Sequence, residues 1–417
     1  MITVIGSGAG ADAGSPAGGT AWVVDVRGDV LTQGDLDLIG THVSGGGTRV
    51  VVRALGDPGF FGVVRALAAR FGAEALDVRP GPGAVGLAFA RLRRSWDDAV
   101  VVDGAAAGVA GAALDRAVNV CRAHPKVAVL PGPGVGPAEL GAELVHRVES
   151  RTLVVFSALG DPFRERVERV APHEAMCRVW EGVNLVLCLD ETRAERPAPA
   201  VTGPLTGPGG WALPDAEFGA GAGVAPARSS GAASGAEGPD ATVVAPVPPP
   251  LPYEARALVL ARLGPRAGDL VWDIGSGCGS VAVECVRLGA AAVAVERTAG
   301  GVERIRGHAA AQGAELRVVH GAAPTVLSHL SDPDGVFVGG GGRDLRAIVL
   351  AAARRARRAV VVAPSALEEV APARAALAAC GFAVDGVLLQ SQRLLPLPDG
   401  SSSLTPSAPV FLVWGTR

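Results

Sequence analysis

Residues Asp269 to Arg297, DLVWDIGSGCGSVAVECVRLGAAAVAVER, decide the fold of this chain. Leu270 to Ile274 is a short apolar run of the kind that a buried parallel strand requires. Gly275, Gly277 and Gly279 then remove side chains where the backbone must turn sharply into a helix, which the sequence places over Val281 to Leu288. Ala292 to Val295 returns as a second strand and ends at Glu296, about 20 residues beyond the glycines, the position of a ribose-binding acid in a nucleotide-binding βαβ unit. A ligand can approach the backbone of such a turn closely. A turn that merely packs a helix on a sheet would not require Glu296.

The spacing separates two nucleotide chemistries. A dinucleotide fingerprint is G-x-G-x-x-G/A, whereas here the third glycine comes one residue early and Ser280 occupies the last position, which disfavours NAD. The pattern D-x-G-x-G-x-G, from Asp273 through Gly275, Ser276, Gly277 and Gly279, resembles motif I of the Rossmann-like S-adenosylmethionine (SAM) methyltransferases. That resemblance implies that the turn cradles the amino-acid part of SAM and that Glu296 binds its ribose.

With 417 residues the chain is long enough for two or three domains, each with its own core. Apolar residues make up 49% and charged ones 19%, which excludes a disordered chain. A net charge of -3 offers no general attraction for nucleic acid. Lys126 is the sole lysine, so arginine carries nearly all the positive charge. The cysteines, Cys121, Cys177, Cys188, Cys278, Cys285 and Cys380, form no C-x-x-C pair and have no histidine at ligand spacing, so free thiols in a reducing compartment and no metal are expected. MITVIGSGAGAD reads as a first strand rather than a signal peptide, and no apolar run reaches the ~18 residues of a membrane span. A cytoplasmic protein, off the membrane, is the expectation.

The first 191 residues read as repeated strand, turn and helix, an α/β unit. Strands are expected at Ile2 to Ile5, followed by Gly6, Gly8 and Gly10, and at Trp22 to Val26 and Arg49 to Arg53, with a glycine-rich interval between the last two that resists assignment. Gly56, Asp57 and Pro58 then turn at a strand's carboxyl end, where ligands bind in open α/β sheets, and Phe61 to Phe71 is helical. Further strands fall at Ala75 to Val78, Val100 to Val102, Lys126 to Leu130, Leu153 to Phe156 and Leu185 to Leu189. Ala112 to His124 and Pro137 to Val148 are the helices between them.

The segments GDPGFFG, RPGPGAVGLAFARLRRSWDD, KVAVLPGPGVGPAELGAELV and ALGDPFRERVERV resemble the tetrapyrrole methylases that build cobalamin. In the two-domain precorrin methyltransferases among them, one half methylates carbon 5 of the macrocycle. A second SAM fold methylates carbon 15 and promotes loss of carbon dioxide from an acetate. Here the second half is matched by EARALVLARLGPRAGDLVWDIGSGCGSVAVE, LRVVHGAAP, DPDGVFVGGGG and APVFLVWG, and GPGGWALPDAEF is similar to the joining segment. The resemblance implies three parts: residues 1–191 a tetrapyrrole methylase-like domain, 192–250 a linker rich in Gly, Pro and Ala, and 251–417 a Rossmann-like SAM methyltransferase domain. It further implies SAM as cofactor, held by Asp273, Gly275, Ser276, Gly277, Gly279, Glu296, Arg297, Gly321 and Ala322 in one half and by Gly56, Asp57 and Pro58 in the other. The substrate would be a precorrin-type tetrapyrrole and the assembly a homo-oligomer.

The chain departs from the family at several points. Gly83 and Ala84 replace a serine pair, Asp103, Gly104 and Ala105 replace His-Gly-Arg, and GSGAGADAGSPAGGT replaces the helix after the first strand, so the first domain could be an inactive scaffold. In the second, Ala322 supplies no carboxylate where the family has Asp, and Leu251, Pro252 and Tyr253 replace a Thr-Lys-Arg lead-in. Apart from Trp211 to Phe218, the linker is too poor in apolar surface to repay ordering, and a flexible tether is expected. Gly339 to Gly342 allow close approach of a ligand or form a plain loop. Arg354, Arg355, Arg357 and Arg358 read either as cations at a helix C-terminus or as forks for substrate carboxylates. His308 and His320 read as surface or packing residues, and no catalytic side chain is identified. A methyltransferase acting on RNA, protein or another small molecule stays open.

Overall fold

In a computed structural model of the chain, residues 1–7, 21–26, 31–45, 49–60, 62–105, 111–145, 151–192, 211–219 and 250–417 are described. Gly8, Gly10, Phe61 and most of the expected tether therefore lie outside the described residues. The chain divides into two compact units, Met1–Thr206 and Gly207–Arg417.

The N-terminal unit opens with β1 (Ile2–Ser7), β2 (Ala21–Asp25), α1 (Gln33–Ser44), β3 (Arg49–Leu55), α2 (Val63–Phe71) and β4 (Leu76–Arg79). The four strands form a wholly parallel sheet in the order β2-β3-β1-β4. Its core is the alternate residues Ile2, Val4, Val50 and Val52 with Ile39 of α1 and Leu67 of α2. The interval that resisted assignment contains α1. A capping box starts it, Thr32 accepting from the Asp35 amide at 3.2 Å while the Asp35 carboxylate accepts from the Thr32 amide at 2.9 Å.

The same unit continues with α3 (Ala84–Leu92), β5 (Val100–Asp103), α4 (Ala112–Ala123), β6 (Lys126–Leu130), α5 (Pro137–Leu144), β7 (Arg151–Ser157), β8 (Arg166–Val170), α6 (Pro172–Ala175) and β9 (Val183–Asp190). These strands make a mixed sheet, β5-β6-β9-β7-β8, parallel only between β5 and β6. α3 packs Val85, Ala88 and Phe89 on one face of it, and α4 and α5 cover the other. At the start of β6, Lys126 is buried, its ammonium paired with Asp98 at 2.6 Å and donating to the Ser95 carbonyl at 3.2 Å.

The C-terminal unit contains α7 (Tyr253–Leu263), β10 (Leu270–Ile274), α8 (Ser280–Arg287), β11 (Ala291–Glu296), α9 (Ala299–Ala311), β12 (Arg317–His320), β13 (Gly335–Val338), α10 (Leu345–Arg355), β14 (Ala359–Val362), α11 (Leu367–Ala379), β15 (Ala383–Leu389), β16 (Gln392–Pro396), β17 (Ser402–Pro406) and β18 (Val410–Thr416). Seven strands form one sheet in the order β12-β11-β10-β13-β14-β18-β15, with β18 antiparallel to both neighbours, and β16 and β17 make a separate hairpin. The pleat of β10 sends Leu270, Trp272 and Ile274 toward α10 and α11. Val271 goes to the opposite face, under α7 and α8. Both faces are thus covered, which is why the strands read as continuous apolar runs.

The segment Trp211–Gly219 belongs to this C-terminal unit. Phe218, 3% exposed, sits in a cluster with Cys278, Ala282, Val283 and Ile305. Arg256, fully buried, reaches the Leu213 carbonyl and approaches the equally buried Glu284 at 3.7 Å, while Glu284 accepts from the Leu213 amide. Asp215 then ties Arg256, at 3.3 Å, to Arg393 of the hairpin, at 2.7 Å.

Candidate cofactor site

From β10 the chain runs to β11 and β12 on one side of the sheet and then returns to β13 on the other, so the strand order reverses between β10 and β13. In a doubly wound sheet, the crevice at the carboxyl ends of the two strands flanking such a reversal is where ligands bind. The turns that follow β10 and β13 meet there. A Cβ on Gly275 would lie 3.2 Å from the Gly340 amide nitrogen, so the two backbones touch at a point that tolerates no side chain. Gly277, at φ +63°, faces nothing within 4 Å, and a Cβ on Gly340 would also meet open space. Gly275 is exposed, yet its Cβ direction runs into the Gly340 backbone, whereas that of Gly277 is open.

Asp273 builds this turn from beneath. It is 1% exposed, on the face of β10 that carries α8, and its Oδ2 accepts from the Ser276 hydroxyl at 2.7 Å and the Ala282 amide at 3.0 Å. Gly279 is the N-cap of α8 and has no side chain to offer, so the Asp273 carboxylate caps the helix in its place. Burial pushes the Asp273 carboxyl up to about 6 against the pull of the Ser276 and Ala282 donors, and the Glu296 charge adds to the rise. Its Oδ1 is buried with no hydrogen-bond partner.

Glu296 ends β11 beside the same turn, 8% exposed. Its Oε2 accepts from the Gly277 amide at 3.1 Å, and its Oε1 from the amide of Thr298 at 2.9 Å and the hydroxyl of Thr298 at 2.7 Å. Gly301, one turn into α9, lies so near that a Cβ there would stand 2.5 Å from Glu296 Cγ. Asp273, Gly275, Ser276, Gly277, Gly279 and Glu296 therefore lie together at the switch point, Asp273 with Ser276 and Gly279 in one hydrogen-bonded set and Gly277 with Glu296 in another. Arg297 is exposed just beyond it, and its carbonyl lies 3.2 Å from His320 Nε2. Gly321 follows β12 and donates its amide to the Glu296 carbonyl at 2.9 Å, and Ala322 is exposed next to it.

In the N-terminal unit Gly56, Asp57 and Pro58 form the turn at the carboxyl end of β3. A Cβ on Gly6 would stand 2.3 Å from the Gly56 carbonyl oxygen and 2.4 Å from the Gly81 nitrogen, so the ends of β1, β3 and β4 converge there. Asp57 spends Oδ1 on the Gly59 amide at 2.8 Å, and the Pro58 carbonyl receives the Val64 amide at the start of α2. At the end of β5, Asp103 closes its own turn by accepting from the Ala105 amide at 2.8 Å.

Arg355, Arg357 and Arg358 of the arginine cluster are not carboxylate forks at this crevice. Arg355 pairs with Asp332 at 2.6 Å, donates to the carbonyls of Leu327 and Leu330 and lies over the Trp272 ring. Arg358 pairs with Asp269 at 2.6 Å, and Arg357 stands 3.7 Å from Asp334. Asp269 and Asp334 precede β10 and β13, so these cations lie at the amino edge of the sheet, opposite the crevice.

Sequence reasoning missed Thr298 and Gly301, since a threonine after an acid signals only a helix start. It also missed the support beneath Cys278, where His308 Nδ1 lies 2.8 Å from the Cys278 carbonyl and its ring meets Phe218 edge-on. Among the described residues no three His, Cys, Asp or Glu side chains gather as around a metal ion, and no helix is long and apolar enough to cross a membrane.

Comparison with known proteins finds two family profiles on the chain. One, described as tetrapyrrole (corrin/porphyrin) methylases, matches residues 37–174, and the other, described as a precorrin methyltransferase domain, matches residues 252–410. A precorrin-6Y C(5,15)-methyltransferase (decarboxylating) of a Sinorhizobium species is 31% identical over 72% of this chain and 63% of its own length. A protein of Saccharolobus solfataricus named as a probable cobalt-precorrin-6B C(15)-methyltransferase (decarboxylating) is 30% identical over 31% of this chain and 69% of its own. A cobalt-precorrin-7 C(5)-methyltransferase of Salmonella typhimurium is 31% identical over 34% of this chain and 66% of its own.

Proposed function

We propose, from the premise that this chain belongs to the precorrin methyltransferases, that it uses SAM to methylate a precorrin-6 type tetrapyrrole at carbons 5 and 15, with loss of carbon dioxide from an acetate side chain, in cobalamin biosynthesis. The observation that carries this reading is the turn at the β10–β13 reversal, where Gly277 opens onto the crevice and Glu296 stands beside it. The residues fit the cofactor: a Cβ on Gly277 would meet open space, so the backbone there is bare to an approaching ligand, and Asp273 Oδ1 lies buried beneath the turn without a hydrogen-bond partner. When bound, SAM supplies an electrophilic methyl group on a sulfonium.

The chain's own part is positioning. Asp273 and Ser276 fix the shape of the turn, Gly277 lets the amino-acid portion approach the backbone, and Glu296 presents an acceptor to the ribose. Transfer to a ring carbon is an in-line displacement, so holding donor and acceptor in line and keeping water out can supply much of the rate.

Incubating the full chain with SAM and a reduced precorrin-6 tests the reading. Mass spectrometry is expected to show two added methyl groups and loss of carbon dioxide. SAM binding without tetrapyrrole turnover would overturn it in favour of a methyltransferase for RNA, protein or another small molecule.

A second reading, a C-terminal enzyme with an N-terminal scaffold, is favoured by Asp103. It stands where the family has histidine, and it spends its carboxylate on its own turn. One added methyl with decarboxylation would support that reading.

A further inference from the structure

A carboxylate has about four acceptor positions, two on each oxygen. At Glu296 both positions of Oε1 are filled, by the Thr298 amide and by the Thr298 hydroxyl, and one position of Oε2 is filled by the Gly277 amide. The Thr298 hydroxyl has a single proton, which goes to Glu296 because its oxygen accepts from the Gly301 amide at 3.2 Å. That last bond is also the N-cap of α9, so the clamp is anchored in a helix of 13 residues. Gly301 leaves the room in which the carboxylate sits, since a Cβ there would stand within 2.7 Å of both Cγ and Cδ of Glu296. One acceptor position remains, on Oε2.

We propose that Thr298 is a specificity-determining positioning residue: by saturating Oε1 it leaves only Oε2 for the ligand, so the ribose of a bound adenosyl ligand is recognised at Glu296 through one hydroxyl rather than two. This rests on the reading of Glu296 as the ribose acid. The hydroxyl that reaches Oε2 makes a charge-assisted bond, whose loss costs about tenfold in affinity. The other hydroxyl finds no free acceptor on Glu296.

The test is calorimetric titration of S-adenosylhomocysteine and its 2′-deoxy and 3′-deoxy forms into the full chain. Gly277→Val, which fills the cradle, identifies the binding event that belongs to this site. The expected result is asymmetric: one deoxy form binds about tenfold more weakly than the parent, and the other within about threefold. Thr298→Val, which frees one of the two positions of Oε1 while keeping the backbone amide on the other and the side chain's shape, is expected to bring the two deoxy forms within about threefold of each other, and Thr298→Ser to restore the asymmetry. A merely structural role at the start of α9 would weaken all three ligands by one factor. Equal penalties for the two deoxy forms in the unaltered chain, or a uniform shift in Thr298→Val, would overturn the clamp alone. Absence of any binding event sensitive to Gly277→Val would overturn the nucleoside reading and the clamp with it.

Discussion

Asp273 carries a cost that pH should reveal. Its folded carboxyl titrates near 6, above the ~3.9 of an unfolded aspartate, so folding takes up a proton between those values. The protonated side chain contributes its full stability below about pH 4 and loses it as pH rises toward 6, a difference of about 3 kcal/mol. Asp273→Asn keeps an acceptor beneath the turn and removes the titration. The stability of the variant minus that of the unaltered chain is expected to rise by about 3 kcal/mol between pH 4 and pH 7 in urea unfolding. A flat difference would show that the carboxyl is not desolvated. At this scale the sequence was readable where backbone geometry demands a residue type: glycines at 275, 277 and 279 encode a left-handed turn whatever surrounds them. What Thr298 and Gly301 do depends on a neighbour across the turn, and no spacing announces it.

Among the elements, the short segment Trp211–Gly219 behaves as part of the C-terminal unit. Phe218 fills the core under Cys278, and Arg256 and Glu284, both buried, are satisfied in part by the backbone of Leu213. A C-terminal fragment starting at Gly207 is therefore expected to melt cooperatively. One starting at Leu251 loses a buried phenylalanine, worth about 3–5 kcal/mol, and leaves two buried charges short of partners. Circular dichroism of the two fragments checks this, and equal melting temperatures would sink it. The aromatic and apolar content of WALPDAEF was visible in a stretch otherwise poor in both. Its destination was not, because Arg256 reads in sequence as one more charge on a helix. α1 hid for a different reason: Gly34 and Gly40 lower its helix propensity, while the capping pair Thr32 and Asp35 carries the signal. β8, with Arg166, Glu168 and Arg169, is a charged edge strand without an apolar period, and it escaped detection on that ground.

For the whole molecule, two dissimilar α/β units in one chain predict a countable property. If both bind the cofactor, titration of SAM into the full chain yields two sites. The turn at Gly56 accounts for one and that at Gly277 for the other, so Gly277→Val is expected to reduce the count from two to one. A count of one in the unaltered chain, falling to none in Gly277→Val, would assign the N-terminal unit a binding role without cofactor. The order of the units was legible because each carries its own glycine signature at strand ends. The two terminal antiparallel strands of the second sheet were harder, since β15 is largely exposed and only the apolar run in β18 announces burial.

Lys126 has a practical corollary. The one lysine of the chain has a side chain only 7% exposed and held by Asp98. Amine-reactive dyes, cross-linkers and acylating agents thus find no accessible lysine on the native fold. Thiol reagents find Cys177 exposed on the N-terminal unit and Cys380 half-buried on the C-terminal unit, so maleimide labelling of a Cys380→Ser variant is the natural route to a site-specific probe on the N-terminal unit.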